Sequence, residues 1–199
     1  MALKKITFDT KIPTDFYWFN EAKHHIDHDH GLVMHTAADT DFWQRTHYGF
    51  QRDNGHCLLT TLAGDFSVSA HLTFKPNTTY DQCGLLVRVD HENWIKVSIE
   101  YENATISKLG SVVTNLGYSD WATTDVASEI HAMWYRISRK DNDFLLEHAT
   151  DGVNWQQMRI AHLHKGTDSL AVGVYACSPE NSSFAATVHD IIIDENKWG

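Results

Sequence analysis

The feature that most constrains the fold of this chain is the recurrence of short alternating segments between turn residues, with almost no helical periodicity. In the segment 66–74 the even positions are apolar and the odd positions mostly polar, as a half-buried strand requires. Connections such as Asp141-Asn142-Asp143 and Asp151-Gly152 carry turn chemistry. Strands are predicted at 58–62, 66–74, 84–89, 94–101, 105–109, 111–115, 134–139, 144–149, 155–163, 170–176 and 184–193. So many short strands predict an all-β fold, a two-sheet antiparallel sandwich.

Length and continuity favour one domain over residues 1–199. The chain has 199 residues, and β-sandwiches of about 200–250 residues are routinely single domains. A chain of this size buries roughly 70% of its unfolded surface, so its core needs no disulfide or metal. No linker, low-complexity tract or repeat divides it. The first dozen residues are predicted to form a peripheral strand, because the segment 9–13, which ends in Ile12-Pro13, is expected to interrupt strand structure.

Charge and cysteine usage limit the partners and the compartment. Sixteen Lys and Arg stand against 26 Asp and Glu, for a formal net charge of −10, which disfavours nucleic acid and membrane partners. No apolar run approaches the roughly 20 residues of a membrane helix, and the first residues lack the apolar stretch of a signal peptide. Cys57, Cys83 and Cys177 are odd in number and widely spaced, which indicates reduced thiols in a cytoplasmic protein.

One face of the segment 94–101 carries polar and indole side chains. Side chains alternate with period two, so Trp94, Lys96 and Glu100 share a face with Ser98 between them. With a three-residue loop before this strand, Arg88 faces Lys96 and Gly84 faces Glu100. Gly84 then leaves room beside Glu100, as expected where a ligand approaches a sheet. Alternating Lys, Ser and Glu is also typical of an ordinary solvated face, but an exposed Trp94 and a strand glycine favour a site.

An ordered set of short motifs extends this pattern along most of the chain. The set is Asp41-Phe42-Trp43, Asp81-Gln82-x-Gly84, Trp94-x-Lys96-x-x-x-Glu100, Ser111-Val112-Val113-Thr114, Ser119-Asp120-Trp121 and Ser178-Pro179. From about residue 16 to residue 193 the chain resembles the family called domain of unknown function 1349, whose members often have Gly where this chain has Ser98. The resemblance implies a concanavalin A-like jelly roll, with a concave sheet where relatives of that superfamily bind or cut carbohydrate. Some members carry the label "regulation of enolase", which names a phenotype and not a chemistry.

The motif residues supply the groups that a carbohydrate site needs. Indole faces cover the apolar side of sugar rings, and carboxylates and amides bind hydroxyls. We therefore predict that most of these side chains converge on the concave sheet and bind a saccharide or sugar-like metabolite, without a cofactor. The predicted ligand-binding residues are Asp41, Trp43, Asp81, Gln82, Trp94, Lys96, Glu100, Asp120 and Trp121. Alternatively, Asp41 and Asp120 hold loops through backbone N–H groups, with Trp43 and Trp121 packed beneath them.

Two other classes of function remain open. A glycoside hydrolase needs two carboxyl groups at a defined separation, here Glu100 with Asp81 or Asp120. The Glu-x-Asp-x-x-Glu motif that glucanases of this fold often carry is missing from the strand at Glu100. Lys96 is expected to keep a neighbouring carboxylate ionised, which suits a binder better than a proton donor, so we favour binding over catalysis. A protein-interaction or regulatory module in carbohydrate metabolism, with a protein partner, is the third class.

The fourteen His residues raise the question of a metal, and we expect none. The segment His24-His25-Ile26-Asp27-His28-Asp29-His30-Gly31 contains many side chains that can bind a metal, but their spacing matches no known metal-binding motif. Its end, Asp29-His30-Gly31, is better interpreted as a hairpin turn, and the pair His162-x-His164 as surface decoration. By strand parity Cys83 points with Leu85 into the core, where a thiol behaves as an inert small hydrophobe.

Overall fold

The computed structural model describes residues 4–199, and within them every regular element is a β-strand. No helix in this part of the chain is long and apolar enough to cross a membrane. The strands are β1 Lys4–Thr7, β2 Tyr17–Phe19, β3 Lys23–Asp27, β4 Gly31–His35, β5 Phe42–Gln44, β6 Gln51–Asp53, β7 His56–Ala63, β8 Phe66–Lys75, β9 Gln82–Asp90, β10 Asn93–Tyr101, β11 Ile106–Asn115, β12 Tyr118–Ala127, β13 Ala132–Lys140, β14 Asp143–Ala149, β15 Gln156–His162, β16 Ser169–Cys177 and β17 Ala185–Asp194.

Two antiparallel sheets form a sandwich, which confirms the predicted all-β architecture. The eight-stranded sheet has the order β15-β14-β13-β8-β17-β4-β3, with β1 paired to β17. The seven-stranded sheet has the order β12-β11-β10-β9-β16-β7-β2. Strands β5 and β6 pair only with each other; we call the segment 42–53 that contains them the ribbon.

The main core fills the space between the two sheets, because alternate residues of each strand face inward. In β10 these are Ile95, Val97 and Ile99, all buried. Tyr135 of the opposite sheet is fully buried among them, and its hydroxyl oxygen accepts a hydrogen bond of 2.8 Å from the backbone N of Ile99. The hydroxyl therefore joins the two sheets without leaving a buried polar group unsatisfied.

A second apolar cluster lies on the other face of the seven-stranded sheet, under the ribbon. Its centre is the fully buried ring of Phe42, edge-on to Trp94 at 5.8 Å and to Tyr175 at 6.0 Å between ring centroids. Such aromatic pairs stabilise beyond the area that they bury. The face predicted to be open is thus partly covered, and Trp94 has no exposed surface. The cluster comprises Phe42, Trp43, Cys57, Leu59, Leu86, Trp94, Val112, Tyr175 and Cys177.

Most strand predictions agree with the structure, and the exceptions have a physical cause. The segments 105–109 and 111–115 form one strand, β11, and the Ser119-Asp120-Trp121 motif lies in β12, which was not predicted as a strand. Strand β12 is the edge of its sheet and is mostly exposed, so its sequence lacks the apolar alternation that marks a half-buried strand. The peripheral strand β1 and the hairpin turn between β3 and β4 are confirmed.

The register between β9 and β10 differs by two residues from the prediction. Lys96 pairs with Leu86 and Glu100 with Gln82, because the hairpin connection has two residues and not three and a β-bulge between Asn93 and Trp94 shifts the pairing by one more. An even shift leaves every side chain on its predicted face. The interpretation of Gly84 was wrong: a Cβ there would lie 1.8 Å from the carbonyl oxygen of Val97. Gly84 permits the close approach of β10, not of a ligand.

All three cysteines are free thiols with almost no exposed surface. Cys83 lies in the core between the sheets, as strand parity predicts. Cys57 and Cys177 lie in the second cluster under the ribbon. Burial raises the pKa of all three thiols well above the ordinary value, so they remain protonated and unreactive in the folded protein.

Candidate functional site

A cleft of about 400 Å³ opens on the outer face of the seven-stranded sheet, beside the ribbon. Its floor comes from β9, β10 and β11, and its walls come from the ribbon, from β12 and from the segments before β9 and after β16. A cavity of similar size, about 380 Å³, lies near Lys4 and Asp15, but those two charges are half-exposed. The residues that line the cleft are Asp41, Trp43, Tyr48, Phe50, Arg52, Tyr80, Gln82, Lys96, Glu100, Val112, Trp121, Pro179 and Glu180.

A row of hydrogen-bonded polar groups forms the floor. Lys96 is only 3% exposed, and its Nζ donates to Gln82 Oε1 at 2.9 Å and lies 3.4 Å from Asp41 Oδ1. Gln82 Nε2 donates to Glu100 Oε2 at 2.7 Å and to the carbonyl oxygen of Tyr80 at 3.1 Å. The hydroxyl of Tyr175 donates to Gln82 Oε1 at 3.0 Å. All four hydrogen-bonding valences of the Gln82 amide are used, which fixes its orientation between the ammonium and the carboxyl group.

Strand geometry accounts for this row. Lys96 and Glu100 are four residues apart on β10, so they share a face, and Gln82 is directly opposite Glu100 on β9. Asp41 comes from the residue before the ribbon, and its Oδ1 also accepts a hydrogen bond from the backbone N of Phe42 at 2.7 Å. Burial of Phe42 therefore places the Asp41 carboxylate beside Lys96.

The protonation states of the floor follow from burial and from the neighbouring charges. Burial raises the pKa of Glu100 from 4.5 to about 7, against the opposing effect of Lys96. Burial disfavours the ammonium form of Lys96, but Asp41 and Glu100 outweigh it and raise the Lys96 pKa. The expectation that Lys96 keeps its neighbour ionised was wrong for Glu100, because desolvation is the larger effect there. At neutral pH, Lys96 is charged and Glu100 is close to half protonated.

Aromatic side chains form much of the cleft wall. Trp43 is buried, and its Nε1 donates to the carbonyl oxygen of Thr46 at 3.0 Å. The Tyr48 ring is edge-on to Trp43 at 5.5 Å and stacked on Phe50 at 5.8 Å. A patch of exposed aromatic surface beside a buried charged row is typical of a binding surface. The exposed members of the wall are Tyr48, Phe50, Tyr80 and Trp121.

One residue of the cleft and two of the ribbon have a left-handed backbone conformation. Tyr80 has a φ of +75°, which is a genuine outlier for a bulky residue. Its backbone N donates to the carbonyl oxygen of Tyr101 at 2.7 Å, and its own carbonyl accepts from Gln82. In the ribbon, Arg45 and His47 have φ values of +56° and +61°. Such conformations cost on the order of 1–3 kcal/mol each and are more frequent at ligand sites.

Comparison with known proteins identifies the family. The family model described as "Protein of unknown function (DUF1349)" matches residues 18–196. The chain belongs to this family. A relative from Saccharomyces cerevisiae named "Regulation of enolase protein 1" is 31% identical over 170 residues, which are 85% of this chain and 84% of the relative.

Solved structures place this DUF1349 chain among jelly-roll sandwiches. A crystal structure of a functionally unknown protein from Saccharomyces cerevisiae superposes with a TM-score of 0.77 and 28% identity, over 92% of this chain and 94% of that one. The GH43 protein BlXynB from Bacillus licheniformis has a TM-score of 0.69 and 15% identity, over 96% of this chain and 39% of that one. The second likeness shows the fold alone, and it confirms the jelly-roll prediction.

Six of the nine predicted site residues line the cleft of this DUF1349 protein. Trp94 is one of the three that do not. Its indole is fully buried, its Nε1 donates to the carbonyl oxygen of His91 at 3.3 Å, and its ring centroid lies 6.0 Å from Lys96 Nζ. It therefore supports the floor and has no face free for a ligand. The six residues in the cleft are Asp41, Trp43, Gln82, Lys96, Glu100 and Trp121.

The other two are carboxylates outside the cleft. Asp81 Oδ2 accepts hydrogen bonds from the backbone N of Asn77 and of Thr78, at 2.8 and 2.9 Å, and so holds the loop before β9. The exposed Asp120 pairs with Arg159 of the other sheet at 2.9 Å. The proposed acid pairs of Glu100 with Asp81 or Asp120 are therefore not assembled in the cleft.

Several wall residues were not predicted from the sequence. Tyr48, Phe50 and Arg52 lie in the ribbon, and Tyr80 immediately precedes the Asp81–Gly84 motif. The alternation of Tyr48 and Phe50 was the one available signal. Glu180 follows the Ser178-Pro179 motif, which was interpreted only as a turn, yet Pro179 also lines the cleft.

No metal site is evident in residues 4–199. Within that range, no group of three or more His, Cys, Asp or Glu side chains is arranged to hold a metal ion. The His-rich segment forms the β3–β4 hairpin, where His25 stacks on His35 at 5.4 Å.

Proposed function

We propose that the cleft binds a saccharide or a sugar-like metabolite in the cytoplasm. The observation that carries this proposal is the row of buried Lys96 and Gln82 with partly buried Glu100, with Asp41 at one end, beneath exposed aromatic side chains. Aromatic faces pack against the apolar side of a sugar ring, and the polar row offers acceptors and a donor for its hydroxyls.

Energetics support a functional role for the row. Removing an ammonium and carboxyl groups from water carries a penalty of several kcal/mol per ion, and apolar residues of similar volume often stabilise a fold better. The stability of the sandwich therefore does not by itself explain why this polar row is present. The cleft volume of about 400 Å³ is within the range of small-ligand sites, and it suits one or two sugar rings.

The two acid pairs predicted for hydrolysis give no support to that alternative. Asp81 is bonded to loop backbone and Asp120 to Arg159, so neither predicted pair with Glu100 faces a shared substrate position. The cytoplasmic assignment is supported by three free, buried thiols, because cytosolic proteins keep their cysteines reduced.

The test is a thermal-unfolding screen of the purified protein against neutral, acidic and phosphorylated mono- and oligosaccharides. A ligand at 100 times its dissociation constant adds about 2.7 kcal/mol of stability, which moves the midpoint measurably. We expect the shift to be reduced in Glu100→Gln and retained in Asp120→Asn, a matched loss of a carboxylate outside the cleft. If no saccharide shifts the midpoint at millimolar concentration, the proposal is wrong.

A further inference from the structure

We propose that the cleft selects a neutral saccharide by clamping two adjacent hydroxyl groups between Asp41 and Glu100, with Lys96 between them, and that it rejects sugars carrying an acidic group. This inference rests on the proposed saccharide function and defines its ligand class.

The first support is the set of hydrogen-bonding groups that the protein leaves open. Asp41 Oδ1 and Glu100 Oε2 are engaged by Phe42, Lys96 and Gln82. Their second oxygens, Asp41 Oδ2 and Glu100 Oε1, have no partner among residues 4–199, and neither is a buried unsatisfied atom. Both therefore face solvent in the cleft. Lys96 has three N–H groups, of which two have partners in the described chain.

The second support is the saturation of Gln82. Its amide oxygen accepts from Lys96 and Tyr175, and its nitrogen donates to Glu100 and to the Tyr80 carbonyl. Gln82 thus acts as a positioning residue that holds Lys96 and Glu100 in place. The ligand meets the two carboxyl groups and the ammonium.

The third support is the charge of the lining. Three acidic side chains (Asp41, Glu100 and Glu180) stand against two basic ones (Lys96 and Arg52). The ammonium of Lys96 is already balanced by Asp41 at 3.4 Å. A phosphate or carboxylate on the ligand would therefore meet the Asp41 carboxylate, and like charges disfavour one another at this range.

Adjacent hydroxyls fit this arrangement because each can donate and accept at once. One hydroxyl donates to Asp41 Oδ2 and its neighbour donates to Glu100 Oε1, while the third N–H of Lys96 donates to one of their oxygens. Hydrogen bonds to an ionised group such as the Asp41 carboxylate are roughly twice as strong as neutral ones. The aromatic wall then covers the apolar face of the same ring.

The experiment compares matched sugars by isothermal titration calorimetry on the full chain. Glucose, galactose, mannose and xylose are the neutral probes, and the uronic acid and 6-phosphate counterparts of the hexoses are the charged ones. We expect a neutral sugar to bind at least about tenfold more tightly than its charged counterparts. Removal of one of the clamped hydroxyls, in a deoxy analogue, is expected to weaken binding by about tenfold.

Two variants test the clamp from the protein side. Glu100→Gln and Asp41→Asn are each expected to weaken the neutral sugar by about tenfold, with Asp120→Asn unchanged. If Asp41→Asn does not fold, because it removes the partner of a buried ammonium, Glu100→Gln and the deoxy analogues remain decisive. Tighter binding of a uronic acid or sugar phosphate than of its neutral parent overturns the clamp and leaves saccharide binding standing. Absence of binding by every sugar overturns both.

Discussion

Replacement of Glu100 by Gln should change the pH dependence of stability by an amount that follows from the site. Burial raises the pKa of Glu100 from 4.5 to about 7, and each pKa unit corresponds to about 1.4 kcal/mol. The folded protein therefore holds this proton more tightly than the unfolded chain does. The stabilisation is complete below pH 4.5 and is lost as the pH rises through 7, a loss of about 3 kcal/mol.

Gln has no proton to lose, yet its side-chain oxygen can still accept the hydrogen bond from Gln82. The stability of Glu100→Gln relative to the parent protein should therefore rise by about 3 kcal/mol between pH 4.5 and values above 7. Urea unfolding followed by tryptophan fluorescence, repeated across this range, measures the difference. Asp120→Asn serves as the control for the loss of an exposed carboxylate. Parallel pH profiles for Glu100→Gln and the parent would refute the argument that burial dominates at this carboxyl group.

The remaining predictions concern the fold. Gly84→Ala should lower the free energy of unfolding by at least about 2 kcal/mol, because the new Cβ would meet the Val97 carbonyl oxygen at 1.8 Å; wild-type stability in denaturant would contradict the close approach. His71 is stacked on Trp134 at 3.6 Å, and burial lowers its pKa from 6.5 to about 4. The stability gained by keeping His71 neutral is therefore present above pH 6.5 and lost as the pH falls through 4. His71→Phe should reduce the loss of stability in acid by about 2 kcal/mol, less than the full shift would give because solvent screens this partly exposed ring; an unchanged unfolding profile counts against this argument. A water-soluble disulfide reagent should label none of the three thiols, of Cys57, Cys83 and Cys177, in the native protein and all three in denaturant. Labelling of the native protein would contradict their burial.

The sequence predicts the sandwich well because its strands carry the apolar alternation that the core imposes. Parity alone places Cys83 inward and Lys96 and Glu100 on a shared outer face. Strand β12 escapes prediction because an edge strand with little buried surface lacks that signal. The two-residue error in register has a similar origin, since parity cannot distinguish shifts of two.

The candidate site is only partly predictable because its walls depend on long-range packing. The ribbon strands are three residues long, too short for a periodic pattern, and the connecting Arg45 and His47 adopt φ values that few sequences signal. If the position of the ribbon is not known, Trp94 is predicted to be exposed. In the structure Phe42 packs against it, and its side chain is fully buried. The raised pKa of Glu100 arises from the same burial, so a pattern of Lys and Glu on one strand could not reveal it.

Part of the ribbon forms the cleft wall without contributing to the packing of the fold. Three exposed cleft residues, Tyr48, Phe50 and Arg52, fall within five consecutive positions, and neither apolar cluster takes a member from them. Substitutions at these three positions can therefore change the shape and charge of the cleft while the sandwich keeps its packing. They are suitable positions for constructing libraries of variants on an unaltered scaffold.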